Sequence, residues 1–212
     1  MLVEWPFYWS LDLIAFLSTG TFRFGQVLRG VDYQSRVTII DKETAKVTVV
    51  PFVLPIKAPR EIIGAYEDTD GSLVLDIASP VSPFIGALSE PLDIRRYVIP
   101  LLDTANSTAR TILVGSSGLE KPTRNPDYIG REYRYSYGVS PQRGCIQRNT
   151  IIKVDFETGI IKRWQESNVV VSQPVFVPNP ERASEDQGVL MPRLCPKWRE
   201  LICLHLFPIL RS

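Results

Sequence analysis

The chain has 212 residues, 44% hydrophobic and 22% charged, which suffices for a folded domain with a sizeable core. Its formal net charge of +1 gives no global field to attract nucleic acid or an anionic membrane, and basic pairs such as Arg95-Arg96 and Lys162-Arg163 are short, as on solvated strand faces. Three cysteines without a C-x-x-C (Cys145, Cys195, Cys203) and a single histidine, His205, exclude a disulfide framework, a cysteine zinc site and any histidine-rich metal centre built by this chain alone.

The N-terminal Met1-Leu2-Val3-Glu4-Trp5 has no basic region, and Glu4 and Asp12 interrupt the apolar stretch, so it does not read as a signal peptide. No apolar run approaches the ~20 residues of a membrane span. Ser10 to Thr19 predicts a short helix, with Ser10 as N-cap, Gly20 just past the end and Leu13, Ile14 and Leu17 as its apolar stripe. Strand signals then dominate. Arg36 to Ile40 and Lys46 to Val50 are β-rich runs around a polar turn at Asp41 to Ala45. Ile62 to Tyr66 and Ser72 to Ile77 flank a turn containing Asp70-Gly71, a strong hairpin signal. Further strands are predicted at Arg95 to Ile99, Thr111 to Val114 and Tyr133 to Val139. Ile151 to Val154 and Ile160 to Trp164 flank Asp155 to Gly159, and Pro174 to Val177 follows.

The turns at Asp41 and Asp155 share the pattern D-x-E-T-[AG], in which the Asp side chain can bond the turn backbone and Gly159 can take a positive φ. With 17 prolines against 13 glycines, repeated hairpins and proline-rich connections fit an all-β propeller or sandwich. From Pro192 the pattern changes. Pro196 to Ile202 reads as a helix start, and this segment offers no evident partner strand to the hairpins before it.

Five segments, in order, resemble one family. Ile63-Gly64-Ala65-Tyr66-Glu67 followed by Leu73 to Ile77 is similar to an "F-H-H-I-N-A-Y-E…I-V-x-D" hairpin. Arg95 to Leu101 is similar to "R-R-Y-x-L-P-L", and Tyr133 to Gly138 to "Y-R-Y-x-Y-G". Ser172 to Pro178 and Glu185 to Leu190 are similar to "S-E-P-x-F-V-P" and "E-D-D-G-V-V-L". The family is the carotenoid cleavage oxygenases, with a lean to the animal β-carotene oxygenases and retinoid isomerohydrolase. The resemblance implies a seven-bladed β-propeller whose axial iron is held by four histidines beneath an apolar tunnel. There dioxygen cleaves a conjugated double bond of a carotenoid or retinoid substrate.

The departures are specific. The resemblance implies that the chain begins just after the second iron histidine, and that the fourth lies beyond the end of the match near Met191. The third belongs where Glu61 stands. Of the family's carboxylates that orient the histidines, Glu120 matches "E-F-P", whereas Gln173 replaces the glutamate of "S-E-P". Glu61 reads as an ordinary polar residue and His205, in Leu204-His205-Leu206, as a non-ligand. Tyr133, Tyr135 and Tyr137 alternate onto one strand face and read as packing, and Gly115-Ser116-Ser117-Gly118 as a loop.

The sequence therefore predicts part of an all-β propeller over residues 1–191 and an atypical tail over 192–212. By resemblance the function is iron(II)-dependent oxidative cleavage of carotenoids or apocarotenoids, or related retinoid chemistry. No catalytic or metal-ligating residue is assigned in this chain, so it is expected to be inactive by itself as a truncated piece of a longer product. The alternative is a non-catalytic propeller piece that binds a lipid or protein partner. Nucleic acid is not an expected partner. The expected location is cytoplasmic, with peripheral membrane contact and no transmembrane segment.

Overall fold

The computed structural model describes residues 2–4, 7–9, 28–30, 35–50, 59–80, 92–101, 109–116, 118–141, 148–181, 184–196, 203–204 and 207–208. These form antiparallel sheets, and no α-helix occurs among them. The helix expected at Ser10 to Thr19 lies outside the described residues, as do residues 197–202 of the one expected after Pro196.

Two consecutive four-stranded meanders form the centre. The first runs β6 (Glu61–Glu67), β7 (Ser72–Pro80), β8 (Leu92–Pro100) and β9 (Arg110–Ser116). The second runs β10 (Glu120–Thr123), β11 (Tyr135–Pro141), β12 (Arg148–Asp155) and β13 (Ile161–Gln165). Before them stand the sheet of β1 (Leu2–Glu4), β4 (Arg36–Ile40) and β5 (Val47–Val49) and the pair β2 (Phe7–Trp9) and β3 (Leu28–Gly30). After them, β14 (Val169–Val171), β17 (Arg193–Pro196) and β18 (Cys203–Leu204) form one sheet. The sheet of β15 (Val175–Pro178), β16 (Gly188–Met191) and β19 (Phe207–Pro208) lies alongside.

The sheets stack in series, as propeller blades do. Val37 and Val50 of the first sheet share a core with Leu75, Ile77, Tyr97 and Ile99. The other face of the β6–β9 blade presents Val74, Ala78, Leu92 and Ile94 to Leu119, Ile152, Val154 and Phe156 of the next blade. Val139 and Ile151 then pack against Val171, Phe176, Leu190 and Leu194. Strand residues alternate between faces, so a blade covered on both sides is apolar at consecutive positions. That is why β7 is buried at nearly every residue from Ser72 to Ser79.

The repeated turn pattern is one structure used twice. Asp41 Oδ1 accepts from the N–H groups of Glu43 and Thr44 at 2.9 and 2.7 Å, and Asp155 Oδ1 accepts from those of Glu157 and Thr158 at 3.0 and 3.3 Å. The threonine Oγ1 then accepts the N–H two residues on at 3.3 Å in both. The last position is left-handed in each, with φ of +55° at Ala45 and +72° at Gly159.

Two expectations need correction. The strand pattern does not end near Leu190: β17 pairs with β14, and Pro192 and Leu194 are buried while Arg193 and Cys195 are exposed. This period of two, with Leu194 in the core beside Val171, is what makes the segment a strand. The three alternating tyrosines do not share one face. β11 starts at Tyr135, so Tyr137 with Tyr135 packs on one side of the blade and Tyr133, ahead of the strand, on the other.

Ala45 occupies a backbone region that glycine enters without a Cβ clash. Ala45→Gly is expected to stabilise the chain by about 0.5–1 kcal/mol, read as a shift in urea midpoint, whereas Gly159→Ala destabilises it by at least as much.

Candidate functional site

The motifs that carried the resemblance converge on a buried ionic centre between the two complete blades. Asp76 of β7 is fully buried and receives Nε and Nη2 of Arg96 on β8, each at 2.9 Å. The two residues are direct cross-strand partners, so both point to the same face. Tyr133 Oη donates to the second Asp76 oxygen at 2.5 Å. The Arg96 guanidinium lies 4.9 Å from the Phe156 ring centre, 5.8 Å from that of Tyr133 and 5.9 Å from that of Tyr66. Burial works against the Arg96 charge, but the Asp76 hydrogen bonds and charge outweigh it and raise its pKa. Burial, reinforced by Asp76, pushes the Tyr133 phenol well above its ordinary range.

Arg124 closes the centre from the other side, 4.7 Å from the Tyr133 ring centre, with Nη1 donating to the Ile63 carbonyl at 2.8 Å. A Cβ on Gly64 would stand 1.8 Å from that nitrogen and 2.6 Å from Tyr133 Oη, so position 64 has no room for a side chain in this arrangement.

A second cluster hangs on the loop before β16. Glu185 accepts the backbone N–H groups of Arg134 and Tyr135 at 2.8–3.0 Å, and Asn125 Nδ2 donates to its carbonyl at 3.1 Å. Burial raises the pKa of Glu185, opposed by those backbone donors. Asp186 takes the hydroxyl of Tyr137 and the ammonium of Lys153. Arg134 pairs with Asp155 at 2.8 Å and with Glu157 at 2.5 Å. Burial raises the Asp155 carboxyl, but the Arg134 and Thr158 hydrogen bonds outweigh this and bring it down to about 2. Arg134, Lys153, Asp155, Glu185 and Asp186 border an open cavity of about 550 Å³ with Lys162 and Ile160 on its wall. Arg134 and Lys153 face carboxylates there, and the phenol of Tyr137 is raised by burial and by Asp186.

The residues singled out in the sequence stand close together, but they are bound to other groups. Glu61 Oε1 accepts the Lys121 N–H at 3.2 Å. Glu120, only 2% exposed, is gripped by two guanidinium groups: Arg60 at 3.4 Å and, more closely, Arg148. Gln173 Nε2 donates to the Pro122 carbonyl at 3.2 Å. His205 lies outside the described residues. Among the described residues no cluster of three His, Cys, Asp or Glu side chains could hold a metal ion. The donor set at Glu61 and Glu120 does not fit iron: it offers no imidazole, and the buried carboxylate is already shared by two cations. Sequence reasoning found Glu120 and missed Arg60 and Arg148, which no motif marks.

Asp76→Asn leaves the partly buried Arg96 without its counter-ion and is expected to cost about 3 kcal/mol in urea unfolding. Tyr133→Phe removes one hydrogen bond to a charged acceptor and is expected to cost about 1.5–3 kcal/mol. The reverse ranking would contradict the central role of the ion pair. For Asp155 the folded pKa of about 2 lies below the unfolded 3.8, so the unfolded chain binds more protons between them. Its contribution is complete above about pH 4 and disappears as pH falls towards 2. Asp155→Asn is expected to flatten the acid limb of a melting-temperature profile in that window.

The family model described as retinal pigment epithelial membrane protein matches residues 1–195. A carotenoid isomerooxygenase from Galleria mellonella is 40% identical over 101 residues, 47% of this chain and 20% of the relative. A β,β-carotene 15,15′-dioxygenase from Gallus gallus is 25% identical over 89% of this chain and 43% of the relative. A variant of the Synechocystis apocarotenoid oxygenase superposes with a TM-score of 0.76 at 20% identity, covering 98% of this chain and 44% of that one. The chain thus spans less than half the length of these relatives, and its all-β fold is part of the seven-bladed propeller of the oxygenase structures. It belongs to the retinal pigment epithelial membrane protein family, the carotenoid cleavage oxygenases.

Proposed function

We propose that this chain is a section of a carotenoid oxygenase propeller. The whole protein's chemistry would be iron(II)-dependent oxidative cleavage of a carotenoid or apocarotenoid by dioxygen, or related retinoid chemistry. The observation that carries the reading is the family match over residues 1–195. The named activities of the moth and chicken relatives point to the same substrate class. What the described residues contribute is scaffold: the Asp76–Arg96 pair and its aromatic surround hold one blade against the next. The proposed setting is cytoplasmic with peripheral membrane contact. No described helix is long and apolar enough to cross a membrane.

By itself the chain is proposed not to cleave carotenoids. Activation of dioxygen towards a closed-shell polyene requires a metal or comparable cofactor. Several oriented imidazoles are needed to hold iron in the family's manner, and this chain has one histidine. The Glu61 and Glu120 contacts support a non-catalytic role, and the second reading is a non-catalytic propeller piece that binds a lipid or protein partner. An aerobic incubation with iron(II) and β-carotene or an apocarotenal in detergent, with aldehydes separated by chromatography, tests this. No aldehyde above a heat-denatured control is expected. Iron-dependent aldehyde formation by the purified chain would overturn the claim of inactivity. Saturable quenching of tryptophan fluorescence by retinal, without turnover, would favour the second reading.

A further inference from the structure

We propose that Glu61 and Glu120 form an interblade latch, so that the corner where the family places a metal ligand and its supporting carboxylate is a structural joint in this chain. The proposal rests on the family reading of these two positions.

Residues 60–61 open the first complete blade and residues 120–121 open the second. The two pairs exchange interactions reciprocally. The Glu61 side chain reaches across to the Lys121 N–H at 3.2 Å, and the Arg60 side chain reaches back to the Glu120 carboxylate at 3.4 Å. Arg148, at the start of β12, holds the same carboxylate from within the second blade. Arg60 is itself fixed, because its N–H donates to the Ala78 carbonyl at 3.0 Å.

The backbone is deformed where the latch needs it. Lys121 has φ +49°, a left-handed conformation that disfavours any residue with a Cβ. The ladder slips between Glu120 and Thr123 on β10 and between Ile62 and Gly64 on β6. Such irregularities re-aim side chains and persist only where surrounding contacts hold them. Here they turn one N–H and one carboxylate towards the facing blade. Glu120 is too buried to lose its partners cheaply: Arg148 holds one oxygen and Arg60 pairs with the other. It therefore acts as a counter-ion to one arginine from each blade.

The test is a pair of double-mutant cycles in urea on the whole chain, Glu120→Gln with Arg148→Gln and Glu120→Gln with Arg60→Gln. Each is combined with thermal melts with and without cobalt(II). The expected result is that Glu120→Gln lowers the folding constant at least about tenfold. Its effect should be non-additive with Arg148→Gln, inside the blade, by about tenfold, or about 1.4 kcal/mol, and with Arg60→Gln, across the blades, by at least about threefold. Cobalt(II) should leave the melting temperature of the unmodified chain unshifted. If Glu120→Gln does not fold, Glu61→Ala and Arg60→Gln, which remove the two contacts that cross between blades, serve instead alone and together, with non-additivity of at least about threefold expected. Additivity within about twofold in the Glu120–Arg60 cycle, the pair that crosses between blades, or in its substitute pair would overturn the latch, as would a cobalt-dependent rise in melting temperature that Glu120→Gln or Arg148→Gln abolishes. These readouts are independent of aldehyde formation, so an inactive chain with additive mutants would refute the latch alone. An active chain with coupled mutants would refute only the claim of inactivity.

Discussion

A carboxylate with no exposure to water sets the terms for the centre of this molecule. Asp76 would be strongly destabilising if left unpaired, because the idealised transfer of an ion into a low-dielectric interior costs of order 20 kcal/mol. Two bonds from Arg96 and one from Tyr133 answer that cost, and the Arg96 cation is in turn covered by three aromatic rings. The participants come from β6, β7, β8, the approach to β11 and the turn after β12. The pair lies within one blade, and Tyr133 and Phe156 reach it from the next, so the placement of the two blades is tied to these contacts. A purely apolar interface would allow small slips at little cost.

This constraint accounts for much of what was legible in the sequence. Tyr66, Asp76, Arg96 and Tyr133 fall in three of the five segments that resembled the family, and Glu185 and Asp186 fall in another. Those residues bond one another or the backbone beside them. The motifs thus report blade-to-blade fit, and reading them as a fold signature succeeded because they are structural. The turns were legible for a local reason: the Asp, Thr and left-handed positions of D-x-E-T-[AG] satisfy their own loop without outside partners.

What was not legible depends on residues far apart in the chain. β10 carries a lysine and a proline in four residues and has no strand-like alternation, so its place in the sheet follows from β11 beside it. β14 is three valines, too short to announce itself, and becomes a strand by pairing with β17, more than twenty residues on. Arg60 and Arg148 are ordinary arginines in sequence. Only the stacking of two blades brings them to the one carboxylate that the family motif had marked.

The ionisable groups of the described residues therefore divide by partner rather than by chemistry. A general acid or base works best with a pKa near the operating pH and a reachable substrate proton. The groups here are displaced the other way: Asp155 is held at about 2 by Arg134 and Thr158 against the effect of burial, and Tyr133 and Tyr137 are raised by burial and their carboxylate neighbours. These three displacements favour the protonation state already present at neutral pH, as structural ion pairs and phenol–carboxylate bonds require, whereas Glu185 is raised by burial against its backbone donors. Perturbed pKa values often mark catalytic groups, but structural ion-pair networks produce them too. In this chain the same groups are bonded to one another: Tyr133 to Asp76, Tyr137 to Asp186 and Arg134 to Asp155. Glu120, with Arg60 reaching it from one blade and Arg148 from the other, is by geometry a counter-ion in an interblade joint.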